Sequence, residues 1–136
     1  NHPDLEVKVK RCQVSGKTCV IDFIMTNYGN DTTAEFYTSN ASHVPMDTRT
    51  KAFDDEGNIY EIHRIGFGGT ISDWPSQSVN LLNDTPLRCR IEIEGVSSSA
   101  TLWKRILLTA KCGSLGLEHK KPIMFYNVPI TREGDE

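Results

Sequence analysis

Apolar and polar side chains alternate with period two along much of this chain. The pattern is densest from Cys19 to Asn30, where Cys19, Ile21, Phe23 and Met25 share one parity and Val20, Asp22, Ile24 and Thr26 the other. A strand sends successive residues to opposite faces, so this segment presents one almost wholly apolar face to a core. Val20, Ile21, Ile24 and Thr26 are β-branched, which crowds a helix and suits a pleated surface. The run Asn27-Tyr28-Gly29-Asn30-Asp31 then ends the strand with residues that tolerate turn dihedrals.

The same reading extends in both directions. Leu5, Val7 and Val9 alternate with Glu6, Lys8 and Lys10, predicting a half-buried strand over residues 4–13 whose charged face suits a sheet edge. Ser15-Gly16-Lys17 supplies a turn joining it to the Cys19 strand as a hairpin. Ala34 to Tyr37 is extended, and Ser39 to Asp47 reads as a surface loop. Strands over Thr48–Phe53 and through Tyr60 and Ile62 flank Asp54-Asp55-Glu56-Gly57-Asn58, a hairpin turn with Gly57 or Asn58 at positive φ. Gly66-Phe67-Gly68-Gly69, with Trp74-Pro75 just beyond, predicts an exposed loop or a bent sheet edge. Val79 to Leu82 is short extended structure before the Asn83-Asp84-Thr85-Pro86 turn. Leu87, Cys89, Ile91 and Ile93 alternate with Arg88, Arg90, Glu92 and Glu94, and Gly95 closes that strand. A helical turn is expected over 98–103, then strands over 105–112 and Ile123–Ile130. Seven to nine short strands with polar or glycine-rich connections predict an all-β, two-sheet antiparallel sandwich, with barrel closure left open by alternation alone.

Size and composition narrow this further. With 136 residues the chain is expected to form a single domain over 1–136, with frayed ends near 1–3 and 131–136. An apolar fraction of 38% and a charged fraction of 24% fit a globular rather than a disordered chain. The net charge of -3 is well mixed, and Lys8, Lys10, Arg11 and the Lys120-Lys121 pair do not form the basic stripe that nucleic acid requires. No apolar stretch is long enough to span a bilayer as a helix. The sequence begins at Asn1 without an initiator Met or signal sequence, as a mature or trimmed form would, so export stays open. Cys12, Cys19, Cys89 and Cys112 include no C-x-x-C, which weakens redox-motif and zinc-ribbon readings. They permit two disulfides in three connectivities or serve as small buried thiols, and the inward parity of Cys19 and Cys89 favours burial for those two. Asn30-Asp31-Thr32, Asn40-Ala41-Ser42 and Asn83-Asp84-Thr85 match the N-glycosylation triplet, a pattern that turns also generate.

No reaction chemistry is assembled in the sequence. Asp54, Asp55, Glu56 and Asn58 offer oxygen ligands but lack the twelve-residue EF-hand arrangement, so a solvated turn explains them without Ca²⁺. His2, His43, His63 and His119 are too widely spaced for a zinc motif. Cys112-Gly113-Ser114-Leu115-Gly116 is not a nucleophile elbow, and Gly66-Phe67-Gly68-Gly69 lacks the Gly-Lys-Ser/Thr of a phosphate loop. The expectation is therefore no catalytic residue, no metal and no cofactor. A binding surface has better support: Phe67 and Trp74 supply apolar area, and Tyr60, His63 and Arg64 add polar contacts. Core packing competes for each ring, and Trp103 is expected to cover one end of the sandwich.

The Asn27-Tyr28-Gly29-Asn30 strand end, the segment Phe53-Asp54-Asp55-Glu56-Gly57-Asn58-Ile59-Tyr60 and the terminal Ile123-Met124-Phe125-Tyr126-Asn127-Val128-Pro129-Ile130 resemble immunoglobulin-like or telokin-like β-sandwich domains of exported bacterial proteins, lipoproteins among them. The resemblance covers most of residues 4–130 and carries no catalytic residue with it. It implies a non-catalytic interaction or accessory domain, exported to the periplasm or cell surface, with a lipid anchor on a segment outside this sequence as one form. The implied partner is an envelope or extracellular protein, with a glycan as the alternative. A carbohydrate-binding module and a structural spacer in a larger surface assembly are the competing roles, and a hydrolase is the enzyme-class competitor.

Overall fold

The structure is a computed structural model and describes residues 5–39, 50–72, 76–112 and 117–132. Twelve strand segments follow one another: β1 Leu5–Ser15, β2 Thr18–Asn27, β3 Thr32–Tyr37, β4 Lys51–Asp54, β5 Ile59–Glu61, β6 Arg64–Phe67, β7 Thr70–Ser72, β8 Ser76–Leu81, β9 Pro86–Ile93, β10 Leu102–Cys112, β11 Leu117–Pro129 and β12 Thr131–Arg132. One sheet has the order β12-β1-β2-β9-β6-β7. In the other, β10 lies between β11 on one side and β3 with β4 on the other, and those two pair in turn with β8 and β5. Among the described residues the strands pair antiparallel except in the short β1–β12 contact, Gln13 to Thr131 and Val14 to Arg132, and one isolated parallel bridge joins Asn27 to Asn83. This is the two-sheet antiparallel sandwich that the alternation predicts, and it is of the immunoglobulin-like kind that the resemblance implies.

The inward rows are those read from the sequence. Cys19, Ile21, Phe23 and Met25 of β2 are buried, as are Cys89, Ile91 and Ile93 of β9. From the facing sheet come Phe36, Ala52, Trp103, Ile106, Leu108, Ile123 and Phe125. Phe23 meets Phe125 edge to face across the interior, with ring centroids 5.2 Å apart. Phe36 packs on Phe67 at 4.8 Å, and Tyr60 meets Trp103 at 5.2 Å and 88°. Such pairs add roughly 0.5–1.5 kcal/mol each beyond the area they bury.

Two columns of the second sheet are each assembled from two segments. Along β10, Phe36 lies opposite Ala110 and Lys51 opposite Leu107, so β3 and β4 run end to end although twelve residues separate Tyr37 from Thr50. Buried hydroxyls bridge the break. Thr50 Oγ1 donates to the Tyr37 carbonyl and accepts from the Thr109 N–H at 2.9 Å. Ser39 Oγ donates to the Thr50 carbonyl and accepts from the Ile62 N–H at 2.8 Å, while the Ser39 N–H donates to the Ile62 carbonyl at 2.7 Å. Buried backbone groups need such partners. The expected loop therefore begins with a tied, buried residue at Ser39, and residues 40–49, with the start of the Thr48–Phe53 strand, lie outside the described residues. The outer column breaks in the same way: after β5 the chain crosses at Ile62-His63 to the other sheet, forms the β6–β7 hairpin there, and resumes as β8. Gly66-Phe67-Gly68-Gly69 is the bent sheet edge of the two alternatives, with Gly68 and Gly69 at the hairpin turn.

Near 98–103 only a turn at Ser98-Ser99 forms, and β10 starts at Leu102. Pairing of Leu102 with Pro129 and Trp103 with Val128 claims residues that the helical expectation left outside the strand. At the β2 end, buried Asn27 acts as a clamp. Its Nδ2 donates to the Asn30 and Leu81 carbonyls at 2.8 and 3.0 Å, and its Oδ1 accepts from the Gly29 N–H at 2.9 Å. Asn83 Nδ2 donates to the Gly29 carbonyl at 2.7 Å, so the amide of that glycosylation triplet is engaged by the same turn.

β1 carries a bulge. Val9 lies opposite Phe23 but Arg11 opposite Asp22, which leaves Lys10 as the extra residue. The inward parity accordingly moves from Leu5, Val7 and Val9 to Cys12 and Val14. Deleting Lys10 should restore an uninterrupted ladder with every apolar residue on its present face, changing stability by less than about 1 kcal/mol. Deleting Lys8 instead turns Leu5 and Val7 outward and should cost about 2–4 kcal/mol in urea denaturation. Equal losses in the two variants would contradict this register.

Candidate functional site

The strand crossover at Ile62-His63 shapes a groove that gathers several of the predicted residues. Ile59, Tyr60 and Glu61 from β5, His63 from the crossover, Arg64 from β6, and Glu92 and Glu94 at the end of β9 line a groove of about 520 Å³. Arg64 sits opposite Glu92 in the ladder and its Nη1 lies 3.1 Å from Glu92 Oε1. His63 Nε2 lies 3.4 Å from Glu61 Oε2. The groove thus sets three carboxylates against one guanidinium. Ile59, 62% exposed, gives it an apolar lip.

Three of the five sequence-predicted residues meet here: Tyr60, His63 and Arg64. Phe67 does not line this groove; its half-buried ring packs on Phe36. Trp74 lies outside the described residues. Trp103, expected at one end of the sandwich, is completely buried. Glu61, Glu92, Glu94 and Ile59 were missed by the sequence reading. The outward parity of Glu92 and Glu94 was visible there, but a crossover that brings β5 beside β9 leaves no period of its own.

Tyr60 is a fixed wall. Its hydroxyl donates to Asp54 Oδ2 at 2.9 Å and accepts from the Ser97 N–H at 3.1 Å, while its ring rests on Trp103. Burial raises its pKa above the ordinary phenol value, and the bond to Asp54 adds to that rise. The turn beneath it spends its carboxylates on the protein. Asp54 Oδ1 accepts from the Glu56 and Asn58 N–H groups at 2.9 and 2.8 Å, and Oδ2 accepts from Asn58 Nδ2 at 3.0 Å. Asp55 accepts from the Thr101 N–H and hydroxyl, and Glu56 from the Ser97 and Ser99 hydroxyls. Gly57, at φ 88°, lets the chain reverse around Asp54. These carboxylates tie the hairpin to residues 97–101, and no group of three or more metal-ligating side chains occurs among the described residues.

A second groove, of about 260 Å³, lies on the outer face of the first sheet between Asp22, Arg88, Arg90 and the Gly66–Ile71 hairpin. Arg90 Nε donates to Asp22 Oδ1 at 2.7 Å, and that ion pair holds the Arg90 pKa above its ordinary value. The crossover groove remains the candidate because it gathers the predicted residues beside an exposed apolar side chain.

Burial pushes the Asp54 carboxyl up, but the hydrogen bonds from Asn58, Tyr60 and Glu56 outweigh it and hold the pKa below the usual carboxylate value. A depressed folded-state pKa contributes stability above the unfolded-state value, near 4, and that contribution is lost as the pH falls through the folded-state value. Asp54→Ala should therefore lower stability at pH 7 by about 2–3 kcal/mol. It should also flatten the fall in stability below about pH 4, measured by urea denaturation between pH 7 and pH 2. An unchanged acid slope would show that Asp54 is not a source of it.

No protein-family model matches the chain, and no curated protein sequence matches it. Solved structures do. The CssB subunit of enterotoxigenic Escherichia coli colonization factor CS6, complemented with a donor strand from CssA, is 10% identical with a TM-score of 0.50, and the match covers 96% of this chain and 97% of that one. The N-terminal domain of PorA is 11% identical with a TM-score of 0.43, over 97% of this chain and 99% of that one. A family 123 glycoside hydrolase from Clostridium perfringens is 8% identical with a TM-score of 0.49, and the chain, 93% covered, spans 26% of that enzyme's length. At these identities the likeness is one of fold, a two-sheet antiparallel β-sandwich of immunoglobulin-like kind.

Proposed function

We infer that this chain is a non-catalytic interaction or accessory domain of the cell envelope or the secreted space, engaging a protein partner through the crossover groove. The observation that carries the reading is the groove itself. An exposed isoleucine stands beside a tyrosine locked in place by two hydrogen bonds, above an excess of carboxylates. An apolar anchor next to a rigid aromatic ring is how a small interface gains affinity, and surrounding charge selects the partner. With Arg64 satisfied by Glu92, Glu61 and Glu94 supply outward negative charge. The fitting partner presents a Lys or Arg beside an apolar side chain.

The exported setting, periplasmic or at the cell surface with or without a lipid anchor, rests on the resemblance to exported bacterial sandwich domains. The CS6 subunit, a colonization-factor component of similar fold, is in keeping with it. No helix among the described residues is long and apolar enough to cross a membrane. A sugar platform has less support among the described residues: the exposed ring of Tyr28 follows β2 of one sheet, that of Tyr126 lies on β11 of the other, and Trp103 is inside the core.

The test is capture from native envelope extract on the immobilised chain, with mass-spectrometric identification, run beside a Glu61→Lys, Glu94→Lys double variant. Both positions are exposed, so the variant should keep the wild-type circular dichroism. A specific protein should be retained by the wild type and fall about tenfold or more on the variant. Equal retention on both would remove the groove from the interface. Glycan retention without any protein would overturn the reading in favour of a carbohydrate-binding module, and no retention at all would leave the structural-spacer role.

A further inference from the structure

β1 and β2 bring two thiols together under the hairpin turn. Cys12 Sγ and Cys19 Sγ are 3.6 Å apart, and both side chains face the interior. They are diagonal neighbours: Cys12 lies opposite Ile21 and Cys19 opposite Val14. Diagonal positions on a regular antiparallel pair are somewhat wide for a disulfide. Here the Lys10 bulge lies two residues before Cys12, and a bulge increases local twist, which shortens one diagonal. The sulfur contact shows that the two side chains already converge. Forming a bond of about 2.05 Å requires them to close by about 1.5 Å in total, within reach of small side-chain rotations.

The two thiols differ in access. Cys19 is completely buried, whereas Cys12 is 7% exposed and borders a groove of about 490 Å³ between β1 and β11, flanked by Lys10 and Arg11. On the buried side stands Trp103, whose indole N–H has no hydrogen-bond partner of good geometry among the described residues and lies close enough to favour the ionised form of the Cys12 sulfur. The hydrogen bond to Cys19 and burial together hold the Cys12 pKa well above the ordinary thiol value. Reaction of the folded protein should accordingly be slow and accelerate with rising pH.

We propose that Cys12 and Cys19 form an intrachain disulfide that staples the β1–β2 hairpin when the chain meets a small disulfide oxidant, with Cys12 as the entry thiol and Cys19 as the resolving one. The Cys12 thiolate attacks one sulfur of the oxidant RSSR, giving a Cys12–S–SR mixed disulfide and releasing RS⁻, which takes up a proton. Cys19 then loses its proton and attacks Cys12 Sγ, forming the Cys12–Cys19 bond and expelling the second RSH. Two protein thiols are oxidised and one RSSR is reduced to two RSH. Lys10 and Arg11 at the groove mouth favour an anionic oxidant such as glutathione disulfide.

The experiment treats the whole chain with glutathione disulfide, both folded and during refolding from denaturant, followed by alkylation and tryptic mapping. The expected product loses the mass of two hydrogens and two alkylatable thiols, and joins the tryptic peptide 12–17 to the peptide 18–49. Its Tm should rise by about 5 °C over the reduced protein, because a short loop is closed before folding. Cys12→Ser and Cys19→Ser should each abolish the link, whereas Cys89→Ser should leave it intact. Trp103 fluorescence should fall on oxidation, since a disulfide beside an indole quenches it. Four alkylatable thiols after both treatments, or a link that joins another pair of cysteines, would overturn the proposal.

Discussion

The architecture depends on two apolar rows meeting across a narrow interior, with the edge contact of Phe23 on Phe125 near its middle. Each row is the inward parity of its strands, so neither sheet can shed water from its apolar face alone. Burial on this scale is the dominant favourable term, and fixing the backbone opposes it with a similar magnitude. Register therefore matters more than any single contact. A slip of one residue in β2 would carry Cys19, Ile21, Phe23 and Met25 outward together.

That constraint explains why buried polar side chains collect where strands break. The second sheet keeps a continuous inner surface although β3 and β4 are separated in sequence, because Thr50 and Ser39 supply bonds that an unbroken ladder would have made. Asn27 does the same at the β2 end, and Asp54 at the β4–β5 turn. Each replaces missing backbone partners with side-chain donors or acceptors, which keeps desolvation from cancelling the gain in apolar burial. The polar knots thus permit the crossover at Ile62-His63, and the crossover creates the groove.

How much of this was legible follows from the same physics. The inward faces of β2 and β9 were plain because period two is local and both strands are regular over eight or more residues. Gly57 was one of the two positions expected at positive φ, since a tight reversal favours a residue without Cβ. The Lys10 bulge hid behind a parity change that two adjacent cations, Lys10 and Arg11, only hint at. The end-to-end join of β3 and β4 was not readable at all, because it depends on β10 as a common template more than fifty residues away. For the site, Tyr60, His63 and Arg64 were found as an aromatic and polar cluster close in sequence, whereas Glu92 and Glu94 enter through pairing of β6 with β9. The half-buried ring of Phe67 packs on Phe36, a contact that the glycine-rich stretch around it does not signal.

The edges of the two sheets bear on what kind of recognition the scaffold suits. An unpaired strand edge invites another chain to add itself, and proteins blunt such edges with short strands, bulges and charge. β5 is three residues long and ends in Glu61, β7 is also three residues long, and β1 carries Lys8, Lys10, Arg11 and a bulge. These features disfavour backbone strand addition at those edges and leave side chains as the means of contact. At the crossover, the chain departure that shortens β5 also turns Ile59, Glu61 and His63 outward beside Glu94. The chain departure that shortens this edge is thus the one that displays a chemically distinctive surface of side chains.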